Sequence, residues 1–228
     1  MAKFYKIIKK SNENLLISNF IEIFKDKLND KLKSSKRFTF VLTGGHSPIK
    51  LYKKLQVSKN IPWKKIDFFI GDERFVKESS KNSNIGMCKK HLLNKINISK
   101  KQIYKISTEK FPLKESVIDY ENKIKKYFFG KNSKFDLILL GVGNDGHIAS
   151  LFRNNIKKNN NKNVKSVKRK DFLRITLTLK SINNAKSIFL WAPGKSKSPI
   201  VKKILKDNNL RYPASFLKEK NNFLFYSN

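Results

Sequence analysis

Short unbroken apolar runs alternate along the chain with longer stretches whose apolar positions recur every three or four residues. The runs FTFVL, IDFFIG and FDLILLG lack the in–out alternation of a half-solvated strand. Such runs mark strands of a parallel sheet that is covered on both faces. Seven strands are predicted: Lys3–Ile8, Arg37–Leu42, Ile66–Gly71, Ile103–Ile106, Phe135–Gly141, Leu173–Leu179 and Ser187–Ala192. Between them Ser11–Leu32, Pro48–Leu55, Asn84–Lys95, Leu113–Phe128 and Ser196–Leu205 read as helices. In the first of these, Leu15, Leu16, Phe20, Ile23 and Phe24 follow helical spacing. Alternating strands and helices predict an α/β fold. No internal repeat or Pro/Gly-rich linker divides the chain, so residues 1–228 read as one domain. One stretch, Asn154–Lys170, is too rich in Lys and Asn to pack and is expected to be a mobile loop after a short helical segment.

Composition narrows the setting. The chain has 228 residues, 39% of them hydrophobic, including 18 Phe and 7 Tyr, enough to build a sizeable core. No apolar run approaches the roughly 20 residues needed to cross a bilayer. The basic start MAKFYKIIKK has too short an apolar stretch for a secretory signal. Cys88 is the only cysteine, so no intramolecular disulfide can form, which fits a reducing, cytoplasmic setting.

The formal net charge of +34 brings nucleic acid to mind. The identity of the charges argues against it. There are 45 Lys and 6 Arg, whereas base edges and phosphates favour the planar guanidinium fork. Lys, Asn and Ile abound while Ala is scarce, as an AT-rich genome would produce. No specific nucleic-acid partner is expected.

Three motifs follow apolar runs at the strand ends where open parallel sheets bind ligands. The first is Thr43-Gly44-Gly45-His46-Ser47-Pro48. Its glycines admit a ligand close to the backbone, Ser47 suits an N-cap and Pro48 suits a first helical turn. Free amides at a helix start suit a phosphate or carboxylate. A plain, well-capped strand–helix turn would read the same way, and the Gly-Lys-Ser/Thr ending of a nucleotide loop is missing. The second is Asp72-Glu73-Arg74, with Ser83-Asn84 opening the next helix. Such a triplet is commonly a solvated ion pair. Arg74, however, is an arginine kept in a lysine-rich chain, which suggests bidentate anion recognition. The third is Gly141-Val142-Gly143-Asn144-Asp145-Gly146-His147. It fits the spacing of a dinucleotide loop but lies mid-chain, with no acidic residue at the required later position. Read as chemistry, it exposes His147 as a base at a helix start. A lone histidine is more often structural, so the weight falls on three motifs meeting at one edge. His46 and His91 have no metal-ligand spacing with it, and no metal site is expected.

With these residues the chain resembles the 6-phosphogluconolactonase family. The family's Leu-Ser-Gly-Gly-Ser-Thr-Pro loop corresponds to Leu42–Pro48, and its Gly-Asp-Glu-Arg to Gly71–Arg74. Its Ser-Asn-x-x-Met corresponds to Ser83, Asn84 and Met87. Its Leu-Gly-x-Gly-x-Asp-Gly-His-Thr-Ala-Ser-Leu-Phe runs from Leu140 to Phe152, with Ile148 for Thr. Arg174 to Leu179 and Gly194-Lys195 resemble later family segments. His46 replaces a small hydroxyl residue, Gly86 stands where Arg is common, and Arg153 where Pro usually follows.

The resemblance implies an open, mainly parallel Rossmann-like sheet with helices on both faces, as in glucosamine-6-phosphate deaminase and ribose-5-phosphate isomerase. It implies hydrolysis of 6-phospho-D-glucono-1,5-lactone with no cofactor, by a monomer or weak homo-oligomer. His147 would be the base, and Asp145 would orient it or bind a sugar hydroxyl. Gly44, Gly45, His46, Ser47, Asp72, Glu73, Arg74, Asn84, Gly143, Asn144, Gly146, Arg174 and Lys195 are the implied substrate or phosphate contacts. The related deaminase reads Asp-Gly-His-Ile-Ala-Phe-Asn-Glu and uses that Glu in an acid–base relay. Phe152 stands there in this chain and cannot carry a proton, which favours the lactonase.

Overall fold

Two consecutive phenylalanines in one apolar run turn to opposite faces of a sheet. Phe68 packs on Phe40 and Trp63, whereas Phe69 packs on Tyr104, Tyr127, Phe128 and Phe135. This period-two geometry requires cover on both sides. The computed structural model describes residues 5–130, 132–157, 161–207, 209–218 and 221–227.

The elements in chain order are β1 (Lys6–Lys10), α1 (Glu13–Ser34), β2 (Phe38–Leu42), α2 (Ile49–Gln56), β3 (Ile66–Ile70), β4 (Asp72–Arg74), α3 (Asn84–His91), β5 (Ile103–Tyr104) and α4 (Leu113–Tyr127). They continue with β6 (Leu137–Gly141), β7 (Val164–Lys168), β8 (Leu173–Leu177), α5 (Leu179–Asn183), β9 (Ser187–Ala192), α6 (Ser198–Leu205) and β10 (Asn221–Ser227). A seven-stranded sheet runs β1-β10-β9-β6-β2-β3-β5, with every pairing parallel. A smaller antiparallel sheet runs β4-β8-β7. The α/β expectation therefore holds.

Helix α1 starts where the Asn12 side chain accepts from the Leu15 amide at 3.0 Å. Its Leu16, Phe20, Phe24 and Leu28, four residues apart, are all buried. Phe20 meets Phe189 and Trp191 edge-on, and Phe24 meets Phe38 and Phe40. Helix α4 covers the other face. Its Tyr120 hydroxyl donates to the Ile70 carbonyl at 2.8 Å and accepts from the Ile70 amide at 3.0 Å. Those groups lie beyond the last residue of β3 that β5 pairs, so the hydroxyl satisfies backbone that the sheet leaves open.

Several expectations change. Residues Lys3 and Phe4 of the expected first strand lie outside the described residues, as do 158–160 of the expected 154–170 loop. The rest of that loop is not unstructured. Residues Val164–Lys168 form β7, with Val164 and Val167 buried. The Glu121 carboxylate of α4 accepts from the Asn163 and Val164 amides at 2.8 and 2.9 Å, which anchors the strand. Lys165 is buried along with the two valines, so composition, which counts every lysine as solvated, hid the strand. Asp72–Arg74 is a strand rather than a turn, because β8 pairs with it in the smaller sheet. The expected strand Leu173–Leu179 ends at Leu177, and Leu179 opens α5 after Thr178, whose side chain accepts from the Ser181 amide.

The chain order places the site. From β1 the path moves through β2 and β3 to β5 at one edge, then returns to β6 on the other side of β2. Beyond the carboxyl ends of β2 and β6, the strand order reverses and a crevice opens. The Gly141 amide donates to Thr43 Oγ1 there at 3.1 Å.

Candidate active site

A cavity of about 780 Å³ occupies this crevice, walled by the segments following β2, β3, β6 and β9. His147 lies on the wall supplied by β6. The Gly146 amide donates to the Gly143 carbonyl at 3.0 Å, and the Gly143 amide to the His147 carbonyl at 2.9 Å. Gly146 has φ +78°, and a Cβ at Gly143 would lie 2.0 Å from His147 Nδ1. Both glycines are thus dictated by the turn. The turn does not lead into a helix, contrary to the sequence expectation. Ile148 bridges back to Val142 and on to Leu151, and Ala149 has φ +48°. These antiparallel bridges fix His147 where a helix start was expected to.

Asp145 orients the imidazole. One carboxylate oxygen lies 2.5 Å from His147 Nδ1 and accepts from the His147 amide at 3.1 Å. This contact assigns the proton to Nδ1 and leaves Nε2 with its lone pair. Burial alone would raise the Asp145 pKa, but the bonds from His147 hold the carboxyl below its ordinary value. Asp145, Asn144 and Gly146 shape the turn without lining the cavity.

The Asp72-Glu73-Arg74 triplet divides its work. Asp72 faces the cavity edge, accepting from Ser150 Oγ at 2.6 Å and from Asn84 Nδ2 through its carbonyl at 2.7 Å. Glu73 turns away beneath α3, so it is a capping group and not a cavity residue. Its carboxylate accepts from the Arg74, Asn84 and Ile85 amides at 2.7–2.8 Å and from Ser83 Oγ at 3.2 Å. Burial pushes this carboxyl up to about 7, against the pull of the Asn84 and Ile85 amides. Arg74 lines the cavity and donates to the Asn82 carbonyl and Asn84 Oδ1. Asn84 lies against Gly44 and braces the β2 loop to the triplet.

Antiparallel pairing sets Arg74 directly opposite Arg174. Like charges so placed repel. Arg174 bonds Asp171, yet the Nε of each arginine is buried and makes no hydrogen bond. Two opposed guanidinium groups with spare donors on a cavity wall suit an oxyanion.

The loop Thr43–Ser47 completes the wall, with His46 exposed on the rim. Ser47 does not cap α2. Pro48 holds the capping position with no side-chain bond, while the Ser47 carbonyl accepts from Trp191 Nε1 at 2.9 Å. Lys195 is exposed and outside the cavity lining, whereas Lys197 lines it and donates to Asn144 Oδ1 at 2.8 Å. Burial lowers the Lys197 pKa, partly offset by Asp145. Lys197, Lys50 and Lys53 were missed because one lysine among 45 carries no distinguishing mark. Among the described residues, no group of three or more His, Cys, Asp or Glu is placed to hold a metal ion.

Residues 11–225 match the model of the glucosamine-6-phosphate isomerases/6-phosphogluconolactonase family. The chain belongs to this family. The 6-phosphogluconolactonase of Nostoc is 30% identical over 220 residues, covering 94% of this chain and 91% of its own. That of Haemophilus influenzae is 36% identical over 187 residues, covering 79% of each. The crystal structure of the Thermotoga maritima 6-phosphogluconolactonase superposes with a TM-score of 0.85 at 28% identity, covering 97% of this chain and 99% of the other.

Two departures from the pattern of the glucosamine-6-phosphate isomerase/6-phosphogluconolactonase family have local explanations. Arg153 donates to the Leu210 carbonyl and lies 5.6 Å over the Phe216 ring, so it ties down the segment that follows α6. Gly86 sits beneath the Glu78 carbonyl, which a Cβ would approach to 2.3 Å.

Proposed function

We propose that this chain hydrolyses 6-phospho-D-glucono-1,5-lactone to 6-phosphogluconate, as one cytoplasmic domain spanning residues 1–228 and using no cofactor. The observation that carries the reading is the Asp145–His147 pair facing, across one cavity, the opposed Arg74 and Arg174. A base and an anion anchor within one crevice suit a substrate with a carbonyl at one end and a phosphate at the other.

The substrate phosphate lies between Arg74 and Arg174, with Lys197 and the Gly44–Ser47 amides completing its shell. Lys197 takes the part that sequence alone gave to Lys195. An anion between the guanidinium groups removes their repulsion and engages the buried Nε donors. His147 Nε2 accepts a proton from water as the water oxygen bonds to the lactone carbonyl carbon. Asp145 stabilises the resulting imidazolium, and nearby N–H groups receive the charge on the carbonyl oxygen. The bond to the ring oxygen then breaks, and the imidazolium returns its proton to that oxygen. The product acid ionises and releases one proton. Phe152, in the position of the deaminase relay glutamate, leaves no second proton carrier there.

A coupled assay on freshly prepared lactone, corrected for spontaneous hydrolysis, tests the reading. Acceleration above background is expected. A rate equal to background would leave the chain with the fold and family but without this activity.

A further inference from the structure

The Phe152 ring is buried, yet it stands apart from the continuous apolar core. Its surroundings are polar and charged. The His147 imidazole lies 4.6 Å away between centroids, with the planes 39° apart. The Arg169 guanidinium lies 4.1 Å from the ring centroid and that of Arg174 lies 5.8 Å away. The backbone of Phe152 is fixed, since its amide donates to Asn155 Oδ1 and its carbonyl accepts from the Asn155 and Ile156 amides. Arg169 sits in the turn joining β7 to β8, where its amide donates to the Phe172 carbonyl at 3.1 Å. The Glu121 carboxylate pins the start of that hairpin.

We propose that Phe152 and Arg169 are positioning residues for His147: the ring supports the imidazole face, and the Arg169 guanidinium stacked on that ring holds it in place. This rests on His147 being the base. Asp72 and Arg74 from β4, Arg174 from β8 and Lys197 from the segment after β9 line the cavity with His147, as do Glu13, Lys50 and Lys53. Arg74, Arg174 and Lys197 lie where the substrate phosphate is assigned. Arg169 is held on Phe152 instead and does not line the cavity. A guanidinium over an aromatic face is a favourable contact that also fixes the ring.

The test measures kcat and KM between pH 5.5 and 8 for the wild type and for His147→Ala, Phe152→Leu, Phe152→Tyr, Arg169→Gln and Arg169→Lys. Arg169→Gln is expected to lower kcat about threefold with KM nearly unchanged, since it loosens the ring that supports the base. Arg169→Lys should restore most of that loss. Phe152→Leu should lower kcat about tenfold with KM nearly unchanged, since a small misplacement of the base acts on the chemical step. Phe152→Tyr should restore it. A wild-type kcat in Arg169→Gln or in Phe152→Leu overturns the proposal while an inactive His147→Ala leaves the base assignment standing. An active His147→Ala overturns the base assignment itself. Arg169 is exposed, so its variants decide the matter even if Phe152→Leu does not fold.

Discussion

A single oxygen of Asp145 serves both the His147 amide and the imidazole, so the turn that presents the base also selects its tautomer. Replacing His147 by Ala removes the proton acceptor and leaves the phosphate wall in place. His147→Ala should therefore cut kcat by about 10²–10⁴ with little change in KM. Steady-state kinetics on protein of wild-type thermal stability checks this, and near-normal kcat would move the search to Asp72. The wild-type rate should fall on acidification, because an imidazolium accepts no proton. The Asp145 carboxyl, held below its ordinary value, stays ionised on that descent. Arg174 gives a second residue-scale prediction. Arg174→Lys keeps a positive charge but loses the fork and the buried Nε donor. It should cost about 1–3 kcal/mol in kcat/KM. An unchanged kcat/KM would assign Arg174 to holding Asp171 alone.

Among the elements, α3 depends on a residue from outside it. The Glu73 carboxylate accepts the Asn84 and Ile85 amides at the helix start, where free donors and the helix dipole favour an anion. Glu73→Gln must turn an amide N–H₂ toward one of those donors. It should destabilise the fold by about 1–3 kcal/mol, read as a lower Tm. The pH dependence has a definite sign. The folded carboxyl titrates at about 7, above its ordinary 4.5, so the folded state binds the proton more tightly. Its contribution is full below 4.5 and is lost as pH rises to 7. Glu73→Gln should flatten that part of the Tm–pH curve, and parallel curves would exclude the linkage. The same region shows what the chain's pattern could and could not disclose. The strands β2, β3, β6 and β9 were legible because each is an unbroken apolar run buried on both faces. So were Arg74, Asn84 and His147, which stand directly beyond strand ends or at a helix start. Strand β4 was not legible, since Asp-Glu-Arg has no apolar pattern and owes its shape to pairing with β8. Strand β10, with its short Phe-Leu-Phe-Tyr run, was passed over although it lies inside the sheet. The choice of Lys197 over Lys195 depends on a backbone turn that two neighbouring lysines do not reveal.

Over the whole molecule, 51 basic residues face 17 acidic ones, and several acids are already engaged. Asp136 is bridged by Lys31 and Lys186, Asp67 by Arg37, and Glu78 by Lys89 and Lys105. Fifty-one cations exceed what 17 acids can match, and that surplus sets a long-range positive field. The aromatic side chains that would stack on exposed bases are mostly buried: Phe20, Phe24, Phe38, Phe40, Phe68 and Phe69 all lie within the core. The field should therefore attract polyanions without reading them. In a gel-shift titration, RNA and DNA of any sequence should be retained at low salt and released as salt approaches about 0.15 M, the behaviour of counterion release alone. The lactone, a phosphate monoester, should feel the same field, so its kcat/KM should fall with ionic strength while kcat stays level. Sequence-selective binding that survives 0.15 M salt would mean that the lysines were placed to recognise nucleic acid rather than spread over a tolerant surface.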